Sequence, residues 1–408
     1  MEGDLTQTAP TTTIGDLDVR LGGPAEPYVL VDLRNVDYLA HDTLMYLVGY
    51  FHQRAAQGLV TRLALPRRST ATDFLRAWNL PWALEMVTND RFEFLLDPES
   101  RERFQSLPEV SKYERVIFRP GGGCENLLPR SFFALTALSI PLETAWSTVR
   151  TSPRRAASIE RDRWLQAHIL RVLDLYLSER GDQVGTRVVA EAVLNAARHP
   201  KASLGMISSQ LIRARKGDKF QEPVAIEVAI WDNGDSFAKT LSERAVKGLP
   251  IQSEAFGAID EEFNVQVLGA GGQAHETIEL DSTWDGVGAS QEKFMVAAFM
   301  LGVSSAPEKG TTVDDDVFLE GTSDPAGSGL YYIRRVVVDK FGGEIRYMSG
   351  RTRLTLTSGG SRGRYHGTIQ TSPAFADISG NLLVVTIPVQ RAQQPPKTPA
   401  ARHAALTR

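Results

Sequence analysis

The stretch V-V-A-E-A-V-L-N-A-A-R-H-P, residues 188–200, sets a carboxylate, an amide and an imidazole at Glu191, Asn195 and His199. Spacing by four puts all three on one face of a helix that turns every 3.6 residues. Val188, Val189, Val193, Leu194 and the alanines between them supply an apolar face for packing. A stripe of this kind suits work on a metal-bound phosphate. The carboxylate orients or deprotonates water, the amide oxygen ligates a hard cation, and basic groups meet phosphate oxygens. Taken alone, the same spacing also describes a solvated helix face.

Two further stretches carry chemistry of a related kind. Val224 to Trp231 reads as a buried strand that runs into Asp232-Asn233-Gly234-Asp235-Ser236. A carboxylate just past a buried strand can accept a hydrogen bond from an adenine amino group, and a glycine lets the backbone approach the ring. Asp-Asn-Gly is equally a common turn. Farther on, Asp324-Pro-Ala-Gly-Ser-Gly-Leu330 precedes a helix through Tyr332, Val336 and Val337. A Gly-x-Gly turn before a helix, here Gly327-Ser328-Gly329, can cradle phosphates with backbone N–H groups at the positive end of the helix. Gly342-Gly343 follows, then a strand from Glu344 to Met348. Gly380-Asn381 opens a closing apolar strand that ends at Pro388.

The elements that must position these residues belong to a chain of 408 residues, long enough for two to three domains. A net charge of −4 gives no reason to propose nucleic acid or an acidic membrane surface as the main partner. The single cysteine, Cys124, excludes an internal disulfide and a cysteine-rich zinc site, and fits a reducing compartment. The N-terminus lacks the basic start and apolar run of a signal peptide, and the most apolar stretch, Phe132 to Ile140, is too short to span a bilayer. A cytoplasmic location is expected.

Residues 1–14 read as a flexible start. Residues 15–95 read as a small α/β layer with parallel strands: strand Tyr28 to Arg34, helix Thr43 to Gln57, strand Leu59 to Leu65, helix Thr70 to Trp78, then a turn at Asn79-Leu-Pro-Trp82. Residues 96–154 connect this layer to a strong helix at Ala156 to Arg180, in which His168 reads as a packed or surface histidine. Ser203 to Ala214 and Val224 to Trp231 read as a hairpin joined at Lys216-Gly-Asp218. Residues 237–326 form a long insertion, with a loop at Gly269-Ala-Gly-Gly272, a helix from Lys293 to Leu301 and a solvated acidic turn at Asp314-Asp-Asp316. Residues 350–378, rich in Ser, Thr, Gly and Arg, read as a second insertion. The tail, 391–408, carries four basic residues and no acidic one, and disorder is expected there.

Residues 155–390 resemble the GHKL (Bergerat-fold) ATPase superfamily of histidine kinases, gyrase-type topoisomerases and related chaperones. The first box of that family corresponds to Glu191 through His199, the second to Asp232-Asn233-Gly234, and the third to Gly327-Ser328-Gly329-Leu330 with Gly342-Gly343. The closing strand corresponds to Gly380 to Pro388. The resemblance implies a two-layer α/β sandwich with ATP held between the helices and a flexible lid over residues 237–326. Asn195 would ligate Mg2+, Arg198 and His199 would lie near the phosphates, and Asp232 would bind the adenine amino group. Gly234, Gly327, Ser328, Gly329 and Leu330 would shape the pocket and lid, with Glu191 as general base where there is hydrolysis. Two positions depart from the family pattern. Asp235 stands where a second glycine is usual, and Asn381 replaces a frequent threonine while remaining a hydrogen-bonding group.

Residues 15–95 resemble the STAS domains of bacterial anti-sigma-factor antagonists, through V-L-V-D-L, the loop N-V-D-Y-L-A-H-D-T and the closing W-N-L. The serine that a partner kinase phosphorylates in that family is missing from Ala40-His41-Asp42-Thr43, so a degenerate domain kept for docking is expected unless Thr43 substitutes. Together the resemblances imply an ATP-binding signalling protein, closest in style to the serine-kinase anti-sigma factors, that gates or phosphorylates a protein partner. A homodimer stays open, and no membrane partner is expected. The alternatives are an ATPase that drives a dimer clamp and a non-catalytic scaffold that keeps the fold.

Overall fold

The structure is a computed structural model. It describes residues 18–21, 28–36, 39–67, 75, 78, 80–89, 91–95, 132–137, 188–189, 191–192, 195–196, 202–216, 219–252, 260–269, 272–281, 284–286, 288–301, 303, 329–371 and 378–388. The expected helix at 156–180 with His168, the acidic turn at 314–316 and the tail lie outside these residues.

The N-terminal part follows the expected strand–helix–strand order. Strands β1 (Asp18–Leu21), β2 (Tyr28–Asp32), β3 (Val60–Ala64) and β4 (Phe92–Leu95) form one sheet in that order. β2, β3 and β4 run parallel, and β1 pairs antiparallel at the edge. Helix α1 (His41–Ala56) makes the crossover from β2 to β3. A second helix, α2 (Leu80–Thr88), occupies residues that the sequence reads as the end of a turn. Pro81 explains the difference: proline breaks a helix interior yet is tolerated in a first turn, where its missing N–H has no partner to lose.

The rest of the described chain builds one mixed sheet of nine strands. Its strands are β5 (Phe132–Ala137), β6 (Gly205–Lys216), β7 (Lys219–Asp232), β8 (Glu262–Leu268), β9 (Ala274–Asp281), β10 (Glu344–Gly350), β11 (Thr352–Ser358), β12 (Arg364–Thr371) and β13 (Ile378–Pro388). They lie in the order β5-β6-β7-β13-β10-β11-β12-β8-β9. All neighbours are antiparallel except β12 and β8. The stretches read as insertions are therefore built into the sheet: 237–326 supplies β8 and β9, and 350–378 supplies β11 and β12. The first of these also supplies helices α3 (Phe237–Val246) and α4 (Gln291–Ala297). Ser236 and Ser290 start them, each accepting a backbone N–H three residues on, from Lys239 at 3.0 Å and Lys293 at 3.3 Å.

The large sheet is covered on both faces, where a two-layer sandwich would leave one bare. Period-two alternation in β7 divides its side chains cleanly. Ile226, Val228 and Ile230 join a core with Val188, Ala192, Ala196, Phe294 and Leu330, while Ala229 and Trp231 join a second core with Leu44, Leu47 and Phe51 of α1. Helix α1 is consequently buried on nearly all sides, because it is held between two sheets.

Polar groups cross this second interface too. His41 Nδ1 donates to Glu227 Oε1 at 2.8 Å, and its Nε2 lies 2.7 Å from Ser208 Oγ. Arg346 bridges the two parts, donating to Glu227 and, at 2.5 Å, to Asp42 Oδ2. Arg353 adds a contact to the same Asp42 oxygen at 3.1 Å. Burial alone would raise the Glu227 carboxyl. The hydrogen bond and charge of His41, the Arg346 charge and the Gln210 amide outweigh it and hold the group down to about 2. Thr43, the candidate substitute phosphoacceptor, is 1% exposed.

Helix α5 (Gly329–Arg334) continues into a turn of π-helix over Arg335–Lys340. It is anchored by Arg334, which is fully buried, pairs with Glu261 and lies 4.0 Å from the centre of the Tyr365 ring. A buried guanidinium is tolerable only with such a partner, so the pair fixes the helix that begins at Gly329.

Candidate functional site

Asp232 ends β7 on the sheet face that carries Ile226, Val228 and Ile230. It is 5% exposed, and its Oδ1 accepts the backbone N–H of Gly234 at 2.9 Å and the Asn381 amide at 3.1 Å. Asn381 lies directly opposite Asp232 across the β7–β13 pair. Its amide nitrogen also donates to the Asp235 carbonyl at 3.2 Å, so it gathers the whole turn after β7. The residue before it, Gly380, has φ +81°, and a Cβ there would overlap the Asp232 carbonyl. Only glycine suits both demands. Asp235, placed where the family pattern has glycine, accepts Lys239 Nζ at 2.9 Å and leads into the Ser236 cap of α3.

A residue outside the sequence reading completes this group. Tyr347 on β10 donates its O–H to Asn381 Oδ1, and its oxygen accepts the Phe237 N–H at 3.4 Å. Burial first, and the Asp232 charge after it, push the phenol far above its ordinary value, so it remains protonated. Alternation within Glu344–Gly350 identifies Tyr347 as inward-facing, but nothing in the sequence says that its hydroxyl meets the closing strand.

The first and third motifs also meet. Glu191 and Asn195 lie on helical backbone and are part-buried. The Asn195 Nδ2 atom is buried without a hydrogen-bond partner among the described residues. The Asn195 amide rests against Gly329, where a Cβ would lie 2.5 Å from Oδ1 and 2.7 Å from Nδ2. Leu330, next in the chain, packs into the same core as Val188, Ala192 and Ala196. Arg198, His199, Gly327 and Ser328 lie outside the described residues.

Among the described residues no group of three or more His, Cys, Asp or Glu is poised to hold a metal ion. What the described residues offer instead is the Asn195 amide, with an unsatisfied buried donor and a carbonyl oxygen in a cradle that a side chain at 329 would fill. That donor set fits a cation held chiefly by phosphate oxygens and water, with one protein ligand, and does not fit an all-protein cage. A buried N–H without an acceptor costs about 1–3 kcal/mol, which an anionic oxygen placed there would recover.

The back of this site belongs to the N-terminal part. Trp231 packs against Gly49 of α1 and donates its indole N–H to the Ser379 carbonyl at 2.9 Å. Asn233 donates to His52 Nε2 at 3.3 Å, while His52 Nδ1 donates to the Val87 carbonyl at 2.9 Å. Successive residues at the end of β7 thus face α1, the site, and α1 again.

No family model matches the chain, and neither a curated protein nor a solved structure matches it. Among the described residues no helix is long and apolar enough to cross a membrane.

Proposed function

We propose that the chain is an ATP-binding signalling protein of the GHKL type, whose nucleotide domain gates or phosphorylates a protein partner. The observation that carries this reading is the Asn195–Gly329 contact. It joins two motifs that the resemblance assigns to one phosphate site, and it leaves a buried amide donor unpartnered among the described residues. The Asp232–Asn381 pair supports the adenine end, since a buried strand-end carboxylate is the kind of group that accepts a hydrogen bond from an amino group. Bound Mg2+ would neutralise phosphate charge, and Asn195 Oδ1 is a ligand that the described residues offer it. Glu191, one turn earlier on the helical stripe, is the group that would hold or take a proton from an attacking water or hydroxyl.

In this reading the STAS-like part is docked in cis on the back of the nucleotide sheet. Contacts of α1 with Trp231 and Asn233, on either side of Asp232, give nucleotide occupancy a direct route to that interface. Binding that favours one packing of the interface over another would then change the surface offered to the partner.

Incubation with magnesium and γ-labelled ATP tests the reading, with Glu191→Ala alongside. Label appearing on protein favours the kinase form, and free phosphate released by the wild type alone favours the ATPase form. ATP that binds without label transfer marks a nucleotide-gated interaction module. Absence of ATP binding leaves the scaffold alternative, which Asp235 at the glycine position favours.

A further inference from the structure

We infer that His52 makes the docking of α1 on the large sheet sensitive to protons, because its two ring nitrogens are committed to partners that only the neutral imidazole can serve. The inference does not depend on what binds beside Asp232. His52 is half-buried on α1, and its Nδ1 faces the Val87 carbonyl of α2 at 2.9 Å. A carbonyl only accepts, so the ring proton sits on Nδ1. Nε2 is then left as an acceptor, and the Asn233 amide nitrogen meets it at 3.3 Å.

That amide is not free to turn round to suit a charged ring. Asn233 Oδ1 accepts the backbone N–H groups of Ser203 and Leu204, both at 2.9 Å, and Nδ2 also donates to Ser203 Oγ at 3.1 Å. Reversing the amide would set its NH2 against two backbone N–H donors. A proton added at Nε2 therefore points one N–H at another, and the bond from α1 to the turn after β7 is lost. The third neighbour is the Trp231 ring of β7, at 5.5 Å between centres. Among the described residues the partners of His52 are these three, and none of them titrates. The charged groups nearby are engaged elsewhere. Arg54, on the same helix, turns to the Tyr50 ring and to Gln57, and His41 at the helix start is held by Glu227. Asp232 lies on the opposite face of the sheet and accepts from Gly234 and Asn381. The folded protein thus opposes proton uptake at His52, whereas the unfolded chain does not. The stability this contributes is present at neutral pH and is lost as pH falls below the ordinary histidine range.

The test is urea unfolding of wild type and His52→Gln at about pH 7.5 and about pH 5.5, on either side of the ordinary histidine value of about 6.5. Glutamine keeps an oxygen for Asn233 to donate to and takes up no proton. On acidification the unfolding constant of the wild type is expected to rise about three- to tenfold more than that of the variant. One pH unit below the ordinary value sets the upper end, and the worth of one hydrogen bond sets the lower. Every other titrating group is common to both proteins, so its share cancels. A histidine that only fills space would shift stability alike at both pH values, and an excess under about twofold overturns the inference. Should the variant misfold, nitrogen NMR of the wild-type His52 ring decides. A neutral ring with its proton on Nδ1 at about pH 7 is the expected result, and a proton on Nε2 or a charged ring overturns the inference.

Discussion

Replacing Glu227 by glutamine takes one charge out of the buried network that joins the two sheets. The carboxyl sits at about 2 in the folded protein against an ordinary 4.5, a gap of about 2.5 units. At 1.36 kcal/mol per unit this amounts to about 3 kcal/mol of stability. Because the folded value is depressed, that stability is fully present above the ordinary value and drains away as pH falls from about 4.5 toward about 2. Removing the charge also leaves His41 and Arg346 without their shared partner, which for a buried pair typically costs 3–5 kcal/mol. Urea unfolding of wild type and Glu227→Gln from about pH 7 to about pH 3 measures both effects. The variant is expected to be less stable by roughly 3 kcal/mol at neutral pH, and the gap should shrink by about 2 kcal/mol at the acid end. A variant within about 0.5 kcal/mol of wild type, or a gap that does not change with pH, would refute the assignment of Glu227 as the ionised centre of this interface.

Asn195→Ala removes the proposed phosphate and cation contact and should abolish magnesium-dependent ATP binding; unchanged affinity would refute its ligand role. Gly329→Ala puts a methyl 2.5 Å from Asn195 Oδ1 and should cut ATP affinity at least about tenfold while leaving the unfolding midpoint nearly unchanged. Asp232→Asn should erase the preference for ATP over GTP, and retained discrimination would place the base elsewhere. Phe51→Ala empties a fully buried site between the sheets and should cost about 3–5 kcal/mol in urea unfolding, whereas a loss under about 1 kcal/mol would mean that α1 is not part of the core.

The described residues of the candidate site have recognisable places in the sequence pattern. Asp232 follows an apolar run, Asn381 follows a glycine, and Glu191 and Asn195 share a helical stripe. Apolar alternation likewise marked β7, and the run Leu382 to Val385 marked β13. The covering of the second sheet face was not legible. His41, Asp42 and His52 make α1 look one-sided, since polar residues normally mark the wet side of a helix. Their partners, Glu227, Arg346 and Asn233, lie far along the chain, and no spacing rule links them. For the same reason residues 15–95 read as a separable module. The structure gives them a common core with Met206, Trp231, Met348, Leu382 and Val384, so deleting them would uncover that apolar face. The strands β8, β9, β11 and β12 were hidden by composition: their outward residues are mostly polar or charged, such as Gln266, Glu276, Glu279 and His366, and read as loop until a neighbouring strand pairs with them.

Calorimetric titration of magnesium-ATP into the intact chain, with Asn195→Ala beside the wild type, tests the central claim most directly. Saturable binding by the wild type that disappears in the folded variant is the result that this account predicts. Background heat from a folded wild-type protein, or equal binding by both, would contradict it.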